Sequence, residues 1–320
     1  MSTDIYAIVF DAINLIRVDI MGKLKNTPST PINYPDKFWT DTFIRLVTEQ
    51  PDKFQEIHDM LEDDDSKGVY ISDIKNRVLQ SYFSSFLSDE IANNYYSAKE
   101  HRMDLIDYKS NLEAFHSDFS AGDVLTFVKK QYTIPDLFEP NAGDIIFDIG
   151  SFNGGTAVFF SKYVGDNGKV YSFEPLPEYF ERAKLNTNQY ENIECVNMGF
   201  SNKKSKVSFN NNGACASKDY SGTIECELST IDEFVSDKQI KVDMIKMDIE
   251  GEEIKALYGA VKTIKKFKPK LAICIYHNAG EDMLTIPLAL KKLNIGYKFY
   301  IRKYHMSIQE TVLFATVENY

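Results

Sequence analysis

From residue 144 onward the chain alternates between two kinds of hydrophobic pattern. Short, nearly continuous apolar runs at 145–149, 169–173, 193–197, 244–247 and 271–276 have the length of strands covered on both faces. Between them, apolar positions recur at helical spacing: about 154–164, 177–188, from Ser229-Thr230-Ile231-Asp232 onward, after Asp248, and about 283–293. Gly165-Asp166-Asn167-Gly168 reads as a turn. Residues 207–209 and 224–228 flank a polar loop, 210–222, and predict an inserted hairpin. The runs 297–302 and 311–317 have no helix between them, so they are expected to pair antiparallel. The sum predicts an α/β fold with a mostly parallel, doubly wound sheet and one reversed strand.

The first 120 residues carry helical spacing alone. Phe43, Leu46 and Val47 share one face, and Pro51 ends that helix and opens the next, with Phe54, Ile57, His58 and Leu61. Val69, Ile71, Ile74, Val78, Tyr82 and Phe83 predict another amphipathic helix. The acidic run Glu62-Asp63-Asp64-Asp65-Ser66 lacks calcium-loop spacing and reads as a solvated link, with Asp65 or Ser66 capping that third helix. His58, His101 and His116 stand alone and are expected to be structural. A turn-rich segment, 117–144, is expected to pack against the entrance of the ligand crevice. The chain thus divides into two units: a helical one over 1–120, serving substrate recognition or dimerisation, and an α/β one over 121–320.

Composition narrows the class. A 320-residue chain with 43% hydrophobic and 13% aromatic residues can fill a large core. A net charge of −11 argues against nucleic acid as the main partner. No apolar run reaches the roughly 18 residues of a membrane span. The N-terminal residues lack the basic segment and apolar stretch of a signal peptide, so a cytoplasmic location is expected. Of four cysteines, Cys195 and Cys274 lie in strand-like runs as core residues. Cys215 and Cys226 can meet across a hairpin, but reduced thiols are the expectation.

Candidate chemistry gathers at the strand ends. Asp148-Ile149-Gly150-Ser151-Phe152-Asn153-Gly154-Gly155-Thr156 joins strand, glycine turn and helix start, the geometry of a nucleotide-type cofactor site. Its spacing differs from that of a dinucleotide binder. A carboxylate at the strand end suits a cationic ligand such as S-adenosylmethionine better than a pyrophosphate. In sheets of this kind ligands lie at the C-terminal strand ends, where the polar residues are Asp148, Glu174, Asn197, Asp248 and His277. Glu174 is placed to accept both hydroxyls of a ribose, with Asn197 or Met198 beside the adenine. Lys246 is anomalous in a buried strand and is expected to pair with Asp248 or Glu250. Glu250 and Glu253 are read on one helical face, where with Asp248 they could hold a divalent cation; acids favoured in a first helical turn explain them better, and no metal is expected. His277 is the candidate general base, with Asp248 and Lys246 supporting it or orienting substrate. His305 is a further candidate for the mouth of the site.

Together, Asp148-Ile149-Gly150-Ser151-Phe152-Asn153-Gly154, Phe173-Glu174-Pro175, Ser229-Thr230-Ile231-Asp232 and Ile245-Lys246-Met247-Asp248-Ile249-Glu250-Gly251-Glu252-Glu253 resemble the FkbM-type S-adenosylmethionine-dependent methyltransferases, over about 131–318. Residues 272–277, 300–302 and 310–313 look like a subgroup met in bacterial glycan gene clusters. The resemblance implies a Rossmann-like class I methyltransferase sheet and O-methylation of a sugar or glycan-precursor hydroxyl. It implies Asp148, Gly150 and Glu174 at the cofactor, and Asp248 and Glu250 near the methyl acceptor; Ser151, Asn153 and Gly154 of the same turn are further candidates for the cofactor site. A small-molecule or glycan substrate is expected, and a homodimer is compatible with the N-terminal unit. The competing readings are an RNA ribose 2′-O-methyltransferase, which the acidic charge disfavours, and a cofactor-binding partner protein without catalysis.

Overall fold

The computed structural model describes residues 5, 7, 37–80, 126, 127, 129–209, 224–304 and 309–317. Expectations for Tyr82, Phe83, His101, His116, Cys215, His305 and the loop 210–222 fall outside these residues.

Over residues 37–80 lie the helices α1 (Lys37–Glu49), α2 (Pro51–Met60) and α3 (Asp64–Gln80). The α/β part begins with β1 (Ile145–Ile149), α4 (Gly155–Val164), β2 (Lys169–Phe173), α5 (Pro177–Thr187) and β3 (Ile193–Val196). Next come β4 (Gly199–Phe200), β5 (Ser205–Phe209), β6 (Ile224–Ser229), α6 (Ile231–Lys238) and β7 (Met244–Met247). The chain continues through α7 (Glu253–Tyr258), α8 (Val261–Phe267), β8 (Lys270–Cys274), α9 (Asp282–Lys292), β9 (Lys298–Lys303) and β10 (Thr311–Thr316).

Seven strands form the main sheet in the order β3-β2-β1-β7-β8-β10-β9. The first five are parallel, and β10 runs antiparallel to both β8 and β9, which makes it the one reversed strand. A second sheet, β4-β6-β5, contains the expected hairpin pairing of β5 with β6. The order reverses between β1 and β7, so a crevice opens above their C-terminal ends.

Alternation along the strands sorts the core. Phe147, Ile149, Ile245, Met247 and Ile273 face one layer, which also contains Phe43, Val47, Phe54, Ile57, Tyr70 and Ile74 from α1–α3. Ile146, Met244, Ala272 and Cys274 face the other, with Phe159 and Phe160 of α4 and Tyr132 and Phe138 of the connecting segment. By period two, Asp148 and Lys246 fall on this second face. The described helices of the expected N-terminal unit therefore share one apolar cluster with the sheet.

The sheet edge at β9 is covered by the start of α3. The N–H of Glu62 donates to the carbonyl of Phe299 at 3.0 Å, and the N–H of Ile301 donates to Ser66 Oγ at 2.9 Å. The Arg302 guanidinium reaches both oxygens of Asp63, at 2.7 and 3.2 Å. These contacts use groups that an edge strand would otherwise leave open to another chain.

They also correct the reading of the acidic run. Helix α3 begins at Asp64, and its cap is Asp63, whose Oδ1 accepts the Ser66 N–H at 2.7 Å. The tertiary partner Arg302, far along the chain, decides this position. A second correction concerns the turn after β7. The helix starts at Glu253, not at Asp248, and Glu250 sits before it with φ +56°. Glu250 and Glu253 are thus not neighbours on one helical face.

Candidate active site

The turn after β1 carries the tightest packing in the crevice. Gly150 has φ +80°, and a Cβ there would lie 1.9 Å from the carbonyl oxygen of Asp248. Only glycine fits. The N–H groups of Gly150 and Ser151 donate to the carbonyl of Phe173 at 3.0 and 3.1 Å, which lashes the turn to the end of β2. Ser151 is buried and accepts from Ser172 Oγ at 2.7 Å. Asn153 Oδ1 accepts the Gly155 N–H at 3.0 Å, and Asn186 Nδ2 donates to the Asn153 carbonyl at 2.7 Å. Gly154, at φ +85°, is the N-cap of α4 and packs against Ala183 and Thr187 of α5.

Lys246 explains the charge inside β7. Its Nζ donates to the carbonyl of Gly150 at 2.6 Å, lies 3.1 Å from Asp148 Oδ1 and sits 5.1 Å from the centre of the Tyr132 ring. The expected pairing with Asp248 or Glu250 is thereby corrected. The partner is Asp148, opposite Lys246 in the β1–β7 register. Burial pulls the ammonium's pKa down, but the Asp148 and Asp248 carboxylates outweigh it and hold the group above its usual range. With 1% of its surface exposed, Lys246 braces the glycine turn from below instead of reaching into the crevice. Asp148 is equally buried, and its other oxygen accepts from Thr156 Oγ1.

Glu174, at the end of β2, accepts the Phe152 N–H at 3.1 Å and the Leu176 N–H at 2.9 Å, one on each oxygen. Burial pushes its carboxyl up to about 7, against the pull of those two donors. Asn197 is exposed, and its amide straps β3 to β2 by donating to the carbonyls of Glu174 and Pro175 at 2.9 and 3.0 Å. Met198, half-buried beside it, packs against the core.

Asp248 lies on the far side of the glycine turn. Tyr132 OH donates to its Oδ2 at 3.1 Å, and Tyr276 OH donates to its Oδ1 at 3.2 Å. Burial first, and the Asp248 charge second, push both phenols above their ordinary range, so both keep their protons. His277 lies just beyond β8. Its Nδ1 is 3.0 Å from Glu253 Oε1, and its Nε2 is 3.7 Å from Asp248 Oδ1 and 3.7 Å from Glu250 Oε2. Burial lowers the imidazole's pKa, but the Glu253 hydrogen bond and the Glu253, Asp248 and Glu250 charges lift it to about 9. Burial also pushes Glu250 up to about 7, with the His277 charge opposing.

The arrangement therefore has two halves. One, from Gly150 to Glu174, is a backbone-lined crevice with a buried carboxylate at its rim. The other, around Asp248, is a polar cluster of Glu250, Glu253, His277, Tyr132 and Tyr276. Asp282, buried, and Glu310, half-buried, are both pushed up to about 7 by burial and stand behind it. The sequence pointed to the strand ends but not to Tyr132, Asp282 or Glu310. Tyr132 belongs to the turn-rich segment expected at the crevice entrance. Glu310 precedes β10 and bonds to Gln131 across the sheet end, a contact no local spacing encodes.

Comparison with known proteins agrees with this geometry. Residues 148–299 match the methyltransferase FkbM domain. Among curated proteins, the hexuronic acid methyltransferase AglP of Haloferax volcanii is 25% identical over 166 residues, covering 50% of this chain and 66% of the relative. A protein-L-isoaspartate O-methyltransferase of Methanococcus maripaludis is 41% identical over 58 residues, 18% of this chain and 27% of the relative. Among solved structures, a methyltransferase FkbM from Methylobacillus flagellatus superposes with a TM-score of 0.58 at 18% identity, covering 87% of this chain and 60% of that one. The chain thus spans between about a quarter and two thirds of the length of these relatives. The mostly parallel sheet with its glycine turn has the Rossmann-like fold of that solved methyltransferase, and residues 148–299, a little under half of the chain, match the FkbM methyltransferase domain.

Proposed function

We propose that the protein transfers a methyl group from S-adenosylmethionine to a hydroxyl of a sugar or glycan precursor. The observation that carries the cofactor half is the turn at Gly150, closed to any side chain, with a buried carboxylate, Glu174, at the next strand end. Those residues fit the donor. Each Glu174 oxygen accepts one backbone N–H and keeps a lone pair, which a ribose diol would fill with two O–H donors. Asn197 and Met198 flank the same strand ends and would border the adenine. Asp148 and Lys246 act one layer below, holding the turn's shape. The FkbM domain supports the methyl-transfer chemistry, and the partial likeness to a hexuronic acid methyltransferase supports a sugar acceptor.

S-adenosylmethionine supplies an electrophilic methyl group. The acceptor oxygen forms the new O–C bond as the S–C bond breaks, and the hydroxyl proton must leave. The chain's part is to align the oxygen and to take that proton. The Asp248–Glu250–His277 cluster lies beyond the glycine turn, where an acceptor would stand. His277 is the candidate for the proton in its neutral form, which the raised pKa of about 9 makes the minor form at neutral pH, so turnover should climb as pH rises toward 9; Asp248 and its two tyrosines orient the acceptor. The proposal is tested with isotope-labelled S-adenosylmethionine and hexuronic acid or other sugar acceptors. His277→Ala should lower turnover by at least about ten-fold while cofactor affinity stays nearly constant. Unimpaired turnover in that variant removes His277 from the reaction. Absence of S-adenosylmethionine binding to the wild-type chain defeats the whole assignment.

A further inference from the structure

Asp248, Glu250 and His277 each offer one ligand atom, and the three atoms lie within 4.8 Å of one another. They come from two segments, the turn after β7 and the residues just past β8. His277 Nε2 stands 3.7 Å from both carboxylates, too far for hydrogen bonds. The atom is closed to solvent and has no hydrogen-bond partner, on a side chain only 11% exposed. A buried ring nitrogen facing two carboxylate oxygens across such a gap is a site waiting for a bridging atom. With bonds of about 2.1 Å, a separation of this size corresponds to a ligand–ion–ligand angle of roughly 120°, within the range of common coordination geometries.

The far side of the ring agrees. Nδ1 faces Glu253 Oε1 at 3.0 Å, and that oxygen also accepts the Ile249 N–H at 2.8 Å. Glu253 is fully buried, so its carboxylate is fixed. The buried carboxylate beside Nδ1 fixes the orientation of the ring, as carboxylates do for histidine ligands in metal centres, and an ion entering the site would displace the proton on Nε2. Asp248 is fixed by the Tyr132 and Tyr276 hydroxyls, which donate to it.

We propose that Asp248, Glu250 and His277 bind a divalent cation of the manganese or magnesium class, whose open positions take two neighbouring oxygens of the sugar acceptor. Two carboxylates suit either ion, and the imidazole favours manganese. The identity of the bound oxygens rests on the methyl-transfer reading; the cation site itself does not. With the ion in place, Nε2 is a ligand and no longer a proton acceptor. The ion would instead acidify the hydroxyl it holds, whose proton would pass to solvent water as the O–C bond forms and the S–C bond breaks.

The test uses the full chain, treated with EDTA, dialysed and titrated with Mn2+ alone, with the free ion monitored by electron paramagnetic resonance. One bound Mn2+ per chain is expected. Binding should weaken at least about ten-fold in Glu250→Gln and in His277→Gln, and not in Glu225→Gln on the exposed hairpin. Circular dichroism of Glu250→Gln, whose side chain lies on a turn, guards against simple misfolding. No Mn2+ bound at millimolar concentration, or binding unchanged in both variants, overturns the site. Methyl transfer with and without EDTA separates the two readings. A chain that binds Mn2+ through these residues but methylates no sugar keeps the site and loses the proposed activity. Full methyl transfer in EDTA keeps the activity and overturns the ion's role in holding the acceptor.

Discussion

Lys246 holds a full charge where almost no water reaches it, and it does so because three groups face its ammonium: the Asp148 carboxylate, the Gly150 carbonyl and the Tyr132 ring. A buried ion so arranged sets the height of the glycine turn. Glu174 is the opposite case, a buried carboxylate with only backbone donors. Its carboxyl rises from an ordinary 4.5 to about 7. A carboxyl raised on folding stabilises the cofactor-free chain below pH 4.5, and that contribution is lost as pH climbs through about 7. Two ribose hydroxyls need the ionised form, so they favour the opposite state. S-adenosylmethionine should therefore bind more tightly as pH rises through about 7, and Glu174→Gln should flatten the trend. Calorimetric titrations across that range measure it, and a pH-independent wild-type affinity would rule out the ribose role.

At the scale of elements, strand positions were legible because each is a short local run, and the polar residues at their ends could be read from the fold rule. The start of α6 after Ser229-Thr230 was legible for the same reason, and there the Thr230 hydroxyl accepts the Glu233 N–H at 3.1 Å. What escaped was every feature set by a distant partner. Lys246 finds Gly150 across 96 residues, and the true cap of α3 is chosen by Arg302 across 239. The helix after β7 starts late because Glu253 turns inward to Ile249 and His277. The junction of α3 with β9 and β10 belongs to this class too. Asp73 is fully buried between Arg77, Lys303 and the Thr311 hydroxyl. Burial lowers the Lys303 ammonium's pKa, and Asp73 only partly offsets that. Asp73→Asn leaves both cations without this carboxylate and should cost about 3–5 kcal/mol. Urea denaturation reads the loss; a change below about 1 kcal/mol would mean the junction adds little.

For the whole molecule, the helices 37–80 and the sheet share one apolar cluster. A chain lacking residues 1–80 should bare that side of β9 and become insoluble or molten, read by solubility and dye binding. A well-folded 121–320 fragment would instead support two self-sufficient units. Among the described residues no helix is long and apolar enough to cross a membrane. The covering of β9 by α3 has a further implication for biosynthesis. Ser66 meets Ile301 across 235 residues, so helices that emerge early wait for a strand translated much later. At ribosomal speeds of about 5–20 residues per second, that delay is roughly 10–50 s. Throughout it, the inner faces of α1–α3 have nothing to bind except one another or a chaperone.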